Sequence, residues 1–537
     1  MRRFFALKPL ILLTATALTA ACGGGGGGGG STDSGTGLNE SSCDLQYSAA
    51  TAAGAVGTDP RLADQWHLSN TGQFGGISGN DNRVFEAWNT TRGAQIQVAV
   101  VDDAVEVTHE DLVANVTAGK SYNYRSQRRG SSFPLPCSSS QSHGTAVAGL
   151  ITARDNNAKG VAGVAPRANL VGFNALATSL DSDIADALNR ELAIVDVYNN
   201  SWGSPDNGQL NPAESSFVRA IDNGIRNGRN GKGTIYTFPG GNGGCYGVNA
   251  DTQACYSDNS NYDGYVNKLG LITTCAVDNM GKQPAYGERG ANFLVCGSSS
   301  NNRAGITTTA LLNDYRSNFS GTSASTPIVA GVAALMLAAN PQLTWRDVQL
   351  ILASTARKND EFDAEWTTNF GLNFNPKYGF GTANAAAAVA AATSWTSVGG
   401  SESLKTCGPF VSNPNRPLPD PAPAITTIED SITVTGCAIS KIEFVEIRLT
   451  TDHTYNGDLR VNLSSPNGLI SELADDRLCS PAGAGDSCGS YDDWPFGSVR
   501  HMGEPADGVW TMGVADAILI GDDQGTFKRW ALTFYGS

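Results

Sequence analysis

Asn318-Phe319-Ser320-Gly321-Thr322-Ser323-Ala324-Ser325-Thr326-Pro327, which runs on into the apolar stretch Ile328–Leu337, is where the fold of this chain is most legible. Helices tolerate proline in the first turn, where its missing N–H would be unpaired anyway. Pro327 therefore marks a helix start and sets Ser323 just ahead of it, its hydroxyl near free N–H groups and the positive end of the helix dipole. A serine in that place is also an ordinary helix cap, so the stretch needs partners before it carries chemistry. The chain has five histidines to search. His143 stands out: it opens Ser142-His143-Gly144-Thr145-Ala146-Val147-Ala148-Gly149, a small-residue helix that leaves the imidazole at a helix start beside a cleft. A third block, Val98-Ala99-Val100-Val101-Asp102-Asp103, ends an apolar strand on a carboxylate.

Around these blocks, from about Asp59 to Thr393, β-like runs such as Ile96–Val101 and Ile194–Val197 alternate with helix-like ones such as Ala146–Ala153. That rhythm predicts an α/β domain with a parallel sheet, whose functional groups gather beyond the carboxyl ends of the strands. From Val398 to Ala424 the chain turns Pro-, Gly- and Ser-rich and reads as a linker. Beyond it, apolar residues alternate with polar ones at Val445/Ile447/Leu449, Leu459/Val461/Leu463 and Trp530/Leu532/Phe534. Period two separated by Asn-Gly and Ser-Pro turns predicts an all-β sandwich or jelly roll.

In the order Asp102, His143, Ser323 the three blocks resemble the subtilisin-like serine proteases, since triad chemistry on other folds runs in other chain orders. The resemblance implies Ser323 as nucleophile, His143 as general base and then acid, and Asp102 as the carboxylate that fixes the imidazole tautomer. Pro239-Gly240-Gly241-Asn242-Gly243-Gly244 resembles the oxyanion segment, with Asn242 as donor. Further stretches look like the kexin/furin branch: Asp102-Asp103, Asn200-Ser201-Trp202-Gly203 continuing to Asp206, Asn261-Tyr262-Asp263-Gly264-Tyr265, and Tyr378-Gly379-Phe380-Gly381. The terminal β region resembles the P domain through Gly457-Asp458-Leu459, Ser465-Pro466-Asn467-Gly468, Asp493-Trp494-Pro495-Phe496 and Gly508-Val509-Trp510. The implied fold is α/β, a subtilisin-like parallel-sheet catalytic domain over residues 59–395, then a linker over 396–424 and an all-β jelly-roll P domain over 425–537.

The same resemblance implies substrate contacts at Ser201, Trp202 and Gly203, with Asp206 and Asp263 lining the S1 pocket, Asp103 facing P2 and Asp186 offered to P4. Two carboxylates in a narrow slot suit an arginine guanidinium, bound by forked, charge-assisted hydrogen bonds. The branch's acid three residues before its histidine is Ser140 here, against a strict Lys-Arg requirement. Calcium is implied at two or more sites, one from Asp206, Asp258 and Glu288 and another from Asp59, Asp111 and Asn157, as hard oxygen ligands from separate loops suit Ca²⁺. The expected activity is thus calcium-dependent endoproteolysis after Arg or Lys. The alternatives are a broad-specificity subtilisin-like protease whose acids only bind calcium, and an inactive surface-binding module on the same scaffold. The intact set Asp102, His143, Ser323 and Asn242 speaks against the last.

Composition bounds the partners and the compartment. Lys and Arg number 36 against 51 Asp and Glu, a net charge of −15, which excludes the basic face of a nucleic-acid binder and favours cationic ligands. Arg2, Arg3 and Lys8 precede a short apolar run ending at Leu18-Thr19-Ala20-Ala21-Cys22, which resembles a bacterial lipobox with Cys22 lipidated; Thr19 in place of the usual Leu leaves a plain secretory peptide open. Residues 23–58, with Gly23–Gly30, read as a flexible tether. The expected place is the outer membrane of a Gram-negative bacterium, since Gly23 is not the Asp of inner-membrane retention. The stretch before Asp59 is too short for the family's propeptide, so folding proceeds unaided or with a separate chaperone. With Cys22 lipidated, ten of the 11 cysteines remain, and neighbour pairing gives Cys245–Cys255, Cys275–Cys296, Cys407–Cys437, Cys479–Cys488 and Cys43–Cys137.

Overall fold

The computed structural model describes residues 45, 47, 57–245, 247–248, 255–421, 424–477, 488–518 and 525–537. The leader with Cys22 and nearly all of the 23–58 stretch lie outside them.

The first domain is built on six parallel strands: β1 (Gln97–Val101), β2 (Asn169–Phe173), β3 (Val197–Asn200), β4 (Ile235–Pro239), β5 (Leu271–Val277) and β6 (Phe293–Ser298). Their order is β2-β1-β3-β4-β5-β6, and every pairing is parallel. Every residue of β1, β3, β4, β5 and β6 is buried, because helices cover both faces of such a sheet and its strands read as continuous apolar runs. β2 lies on one side of β1 and β3 on the other, so the order reverses at β1 and opens a crevice beyond its carboxyl end.

Helix α1 (His143–Thr152) packs against β1. Its second residue must be glycine: a Cβ on Gly144 would stand 2.3 Å from the Ala104 carbonyl oxygen and 2.7 Å from Asp102 Cβ. Helix α2 (Asp181–Ala187) follows β2, and α3 (Ser215–Asn227) precedes β4. Helix α4 (Thr322–Ala339) runs through the core against α1 and β3 to β6; it is long and apolar enough to span a membrane, yet 83% of it is buried within the protein. Helices α5 (Trp345–Thr355) and α6 (Ala385–Ser394) close the domain.

The second domain has two antiparallel sheets. One orders 405–412, 525–536, 442–451 and 494–498, with 416–418 also on 525–536; the other orders 428–434, 508–516, 459–464 and 470–474. The alternating residues Val445, Ile447, Leu449, Leu459, Val461, Leu463, Trp530, Leu532 and Phe534 all point into the core between the sheets. The architecture is the expected α/β domain followed by an all-β one.

Three local expectations change. Ser323 is the second residue of α4, inside the helix, and Pro327 lies in the second turn. The third strand is Val197–Asn200, whereas Ile194 at the head of the apolar run is 40% exposed; the strand takes Asn199 and Asn200 into the core instead. The stretch read as a linker contains secondary structure: Lys405–Ser412 and Arg416–Leu418 form edge strands, where proline is tolerated because no ladder N–H is required on the outer side. Residues before them are tied to α5, since Arg346 Nη1 donates to the carbonyls of Val398, Gly399 and Gly400. Disulfides join Cys275 to Cys296 and Cys407 to Cys437. Cys137, Cys245 and Cys488 are also disulfide-bonded, and the expected pairs Cys43–Cys137 and Cys479–Cys488 each involve a position outside the described residues.

Candidate active site

The crevice at the β1 end collects side chains from three neighbouring strands. Asp102 follows β1, Ser201-Trp202-Gly203 follows β3 and Asn242 comes three residues after β4, while His143 opens α1 and Ser323 lies in the first turn of α4. Asp102 is buried, and its Oδ1 and Oδ2 lie 2.9 and 3.1 Å from His143 Nδ1. Oδ1 also accepts the Asp103 N–H at 2.8 Å, which fixes the carboxylate plane. The imidazole is tilted against the Phe319 ring, 5.3 Å between centroids, and is one-third exposed, at 33%. Burial pulls its pKa down, but the charge and hydrogen bond of Asp102, with Asp103 behind, outweigh this and hold it above 6.5.

Ser323 Oγ donates to the Ser201 carbonyl at 3.1 Å, and among the described residues it makes no hydrogen bond to His143. Hydroxyls rotate, and catalytic contacts are often looser without substrate. The chemistry available here is general-base attack by a hydroxyl. The imidazole has one nitrogen committed to a buried carboxylate and the other left for a proton.

Asn242 is oriented by α4. Its Oδ1 accepts from the Thr322 N–H at 2.8 Å and from the Thr322 hydroxyl at 3.0 Å. The carbonyl end thus caps the helix next to Ser323, and the amide NH₂ is turned away from the cap and left to donate. Thr322 was not singled out from the sequence; its place directly before the serine was the only signal available.

The substrate-side acids fall into distinct settings. Asp263 accepts from the Ser204 N–H and hydroxyl, both at 2.9 Å, and from the Tyr265 N–H at 2.8 Å. Gly203 passes directly over it, since a Cβ there would be 2.7 Å from Asp263 Oδ2. Asp206 Oδ1 accepts the Asn242 N–H at 3.3 Å. Burial raises the pKa of both. Trp202 ties the strand ends together, its Nε1 donating to the Val101 carbonyl at 3.0 Å.

Two expected contacts are differently placed. The Asp103 carboxylate is turned onto the start of α1, accepting from the N–H groups of Gly144 (2.9 Å), His143 (3.2 Å) and Ala104 (2.6 Å). The carboxylate is thereby turned toward a helix N-terminus, where an anion is favoured. Asp186 is already paired, its Oδ2 held by Arg190 and by the Tyr124 hydroxyl at 2.6 Å, so a substrate cation would meet an answered charge.

Asp206, Asp258 and Glu288 converge on Gly243, where a Cβ would be 3.0, 2.6 and 3.0 Å from Asp206 Cβ, Asp258 Cβ and Glu288 Oε1. Backbone N–H groups serve them: Asn207 and Gly208 to Asp258 at 2.8 Å, and Gly243 to Glu288 at 2.9 Å. Burial is the main cause that raises the pKa of Asp258 and Glu288; repulsion by Asp258 and Asp206 adds to it at Glu288, whereas at Asp258 backbone N–H groups and the Arg477 charge oppose it. Asp206 and Glu288 are close enough to share a hydrogen bond, an arrangement that needs a proton or cation between them. No group of three or more His, Cys, Asp or Glu among the described residues is closed up for a metal ion as it stands; by donor chemistry these buried oxygens, which make no salt bridge among the described residues and feel only the Arg477 charge from across the neighbouring cavity, fit a hard divalent cation.

The second set is assembled as well but is differently engaged. Asp59 accepts from the N–H groups of Asn156 (2.9 Å) and Asn157 (3.1 Å). Asn157 Nδ2 donates to Asp111 Oδ1 at 2.7 Å while its oxygen takes the Lys159 N–H. The Asn157 oxygen expected as a ligand therefore faces away from Asp111.

A model described as the subtilase family matches residues 93–381, and one described as the proprotein convertase P-domain matches residues 442–534. Neuroendocrine convertase 2 of Bos taurus is 33% identical over 496 residues, 89% of this chain and 74% of the relative. A dibasic-processing endoprotease of Schizosaccharomyces pombe is 34% identical over 490 residues, 89% of this chain and 65% of the relative. The crystal structure of a serine protease of Aeromonas sobria superposes with a TM-score of 0.78 at 25% identity, covering 93% of this chain and 99% of that one. The same protease in complex with its chaperone superposes with a TM-score of 0.78 at 25% identity, over 89% and 95% of the two chains.

Proposed function

The chain belongs to the subtilase family and is a serine protease with a P domain, and from that premise we propose that it is a calcium-dependent endopeptidase that cleaves after a basic residue, Arg or Lys, at P1. The observation that carries the reading is the pair Asp206 and Asp263: two acids beside the crevice that make no salt bridge among the described residues, one of them bonded to the backbone of Asn242. A guanidinium placed between them would gain charge-assisted hydrogen bonds while its scissile carbonyl lies within reach of Ser323 and the Asn242 amide. Ser323 attacks the carbonyl, His143 takes the hydroxyl proton and passes it to the leaving amine, and Asp102 stabilises the imidazolium. The developing oxyanion is met by Asn242, a donor typically worth about 2.7–4 kcal/mol of barrier.

Calcium held by Asp206, Asp258 and Glu288 would neutralise buried charge and stiffen the loops that form S1. The Asp59/Asp111/Asn157 set would serve a second ion after its Asn157 amide turned over. The relatives named as convertases and as a dibasic-processing endoprotease support basic P1 selectivity. Ser140 and the engaged Asp103 favour a less strict P2.

The test is hydrolysis of P1-Arg, P1-Leu and P1-Phe peptides by wild type and Ser323→Ala, with and without chelator. P1-Arg turnover should disappear in the variant and fall with chelator, whereas equal cleavage of all three peptides would sink the basic specificity. We also propose anchoring through a lipidated Cys22, supported by Leu18-Thr19-Ala20-Ala21-Cys22; a Cys22→Ser chain that still fractionates with membranes would overturn it. The complex of the Aeromonas sobria protease with its chaperone supports a separate folding partner, and refolding of the purified chain alone to full activity would argue against one.

A further inference from the structure

We infer that Arg477, which belongs to the second domain, is a positioning residue for the S1 pocket of the first; this rests on the basic-P1 reading for what the pocket receives. Arg477 follows the strand 470–474 and is 5% exposed, with its guanidinium 3.7 Å from the centroid of the Tyr262 ring. Its Nε donates to the Gly208 carbonyl at 2.9 Å, and its other nitrogens reach the Tyr491 hydroxyl at 3.4 Å and the Cys488 carbonyl at 3.5 Å. Asn207 and Gly208, one and two residues after Asp206, in turn donate their N–H groups to Asp258. The loop that carries Asp206 is thus clamped from two sides, by a carboxylate of its own domain and by a guanidinium of the other.

Tyr262, next to Asp263, is clamped in the same way. Its ring belongs to the apolar core of the second domain, and its hydroxyl accepts the Asp475 N–H at 3.2 Å. Both S1 acids therefore sit beside a residue held by the second domain. Packing alone does not seal this seam. It contains a cavity of about 240 Å³ bordered by Asp258, Glu288, Glu472, Asp475, Arg289 and Arg477, so the loop depends on discrete bonds across it. A buried guanidinium in a fixed fork suits that task, because little freedom is lost per bond formed.

The experiment uses the full chain with Arg477→Met, which keeps bulk and loses the donors and charge, and Arg477→Lys, which keeps the charge without the fork. Steady-state kinetics on P1-Arg and P1-Leu peptides are paired with hydrogen exchange at the Asn207 and Gly208 amides. For Arg477→Met, kcat/KM on P1-Arg should fall roughly 10- to 100-fold, carried more by KM than by kcat, with P1-Leu falling less than about threefold, and Arg477→Lys should lie between. Exchange at the two amides should quicken at least about tenfold in both. Equal losses on both peptides, or unchanged protection at 207–208, would overturn the inference. If the Met variant does not fold, the Lys variant decides by the same two readouts. Should wild type cut P1-Arg no better than P1-Leu, the basic-P1 reading fails by itself and the exchange rates alone decide the positioning role.

Discussion

Acidic residues border the crevice on both sides of β1, yet the two sides differ in what answers their charge. On the β3 side, Asp206, Asp258, Asp263 and Glu288 make no salt bridge among the described residues and are served chiefly by N–H and hydroxyl groups. On the β2 side, Asp183 is paired with Arg129 and Asp186 with Arg190. Buried charge without a counter-charge is costly and is retained only where something else supplies the partner. The paired acids already have a cation beside them. The unpaired ones are where a substrate guanidinium and a divalent cation would find their binding energy, so a net charge of −15 becomes informative only once each carboxylate is assigned its partner.

A third case, Asp102, is answered by a histidine, and its loss should have the largest effect. Asp102→Asn should lower kcat by about 10⁴-fold, since an amide supports the wrong tautomer of the imidazole. The pH profile should move with it. His143 must be neutral to act as base, and its pKa is held above 6.5. Wild-type kcat/KM should therefore rise with pH and stand below half its plateau at pH 6.5. Without the Asp102 charge, burial dominates and the acidic limb should shift downward; an unmoved limb would mean that another group sets it.

Asp263→Asn comes next. Removing one side of a buried charge pair costs about 3–5 kcal/mol, so kcat/KM for P1-Arg peptides should drop roughly 150- to 5,000-fold, with P1-Leu nearly untouched. Equal losses on both peptides would place Asp263 in the scaffold and dissolve the contrast between the two sides.

How much of this was legible in the sequence depended on whether a residue's role is local. Asp102, His143 and Ser323 stand in short blocks tied to a strand end or a helix start, and the structure brings those blocks together at one crevice. Period-two alternation marked the second domain well because burial there is one-sided. Proline density misled at 396–424, since edge strands and linkers admit proline alike and only the pairing partner, 525–536, tells them apart. The loss of Asp103 to the start of α1 was invisible, because nothing in Asp102-Asp103 says which way the second carboxylate turns. Arg477 carried no signal whatever: its contacts at Gly208 and Tyr262 are more than 200 positions away, at separations of 269 for the first.

The calcium reading separates the two sides by stability. Saturating one site at about 100 times Kd adds about 2.7 kcal/mol, so chelation should lower Tm by roughly 3–5 °C for a domain of this size, and readdition of Ca²⁺ should restore it. Asp258→Asn should abolish most of that response by removing a ligand from the β3-side cluster. A chelator response that persists in Asp258→Asn would move the ion to Asp59 and Asp111.

The smallest effect belongs to the paired side. Asp186 is nearly half exposed, at 45%, and its bond with Arg190 is of the kind worth about 0–1 kcal/mol. Asp186→Asn should therefore change kcat/KM on P1-Arg peptides by less than about threefold and leave the preference for a basic over a neutral P4 residue flat. The outcome is diagnostic because Asp186 and Asp263 are the same residue type, both on segments that follow a strand of one sheet. If Asp186→Asn instead erased a P4 preference, Arg190 would have to release its partner when substrate binds, and pairing with arginine would no longer distinguish the inert acids from the working ones.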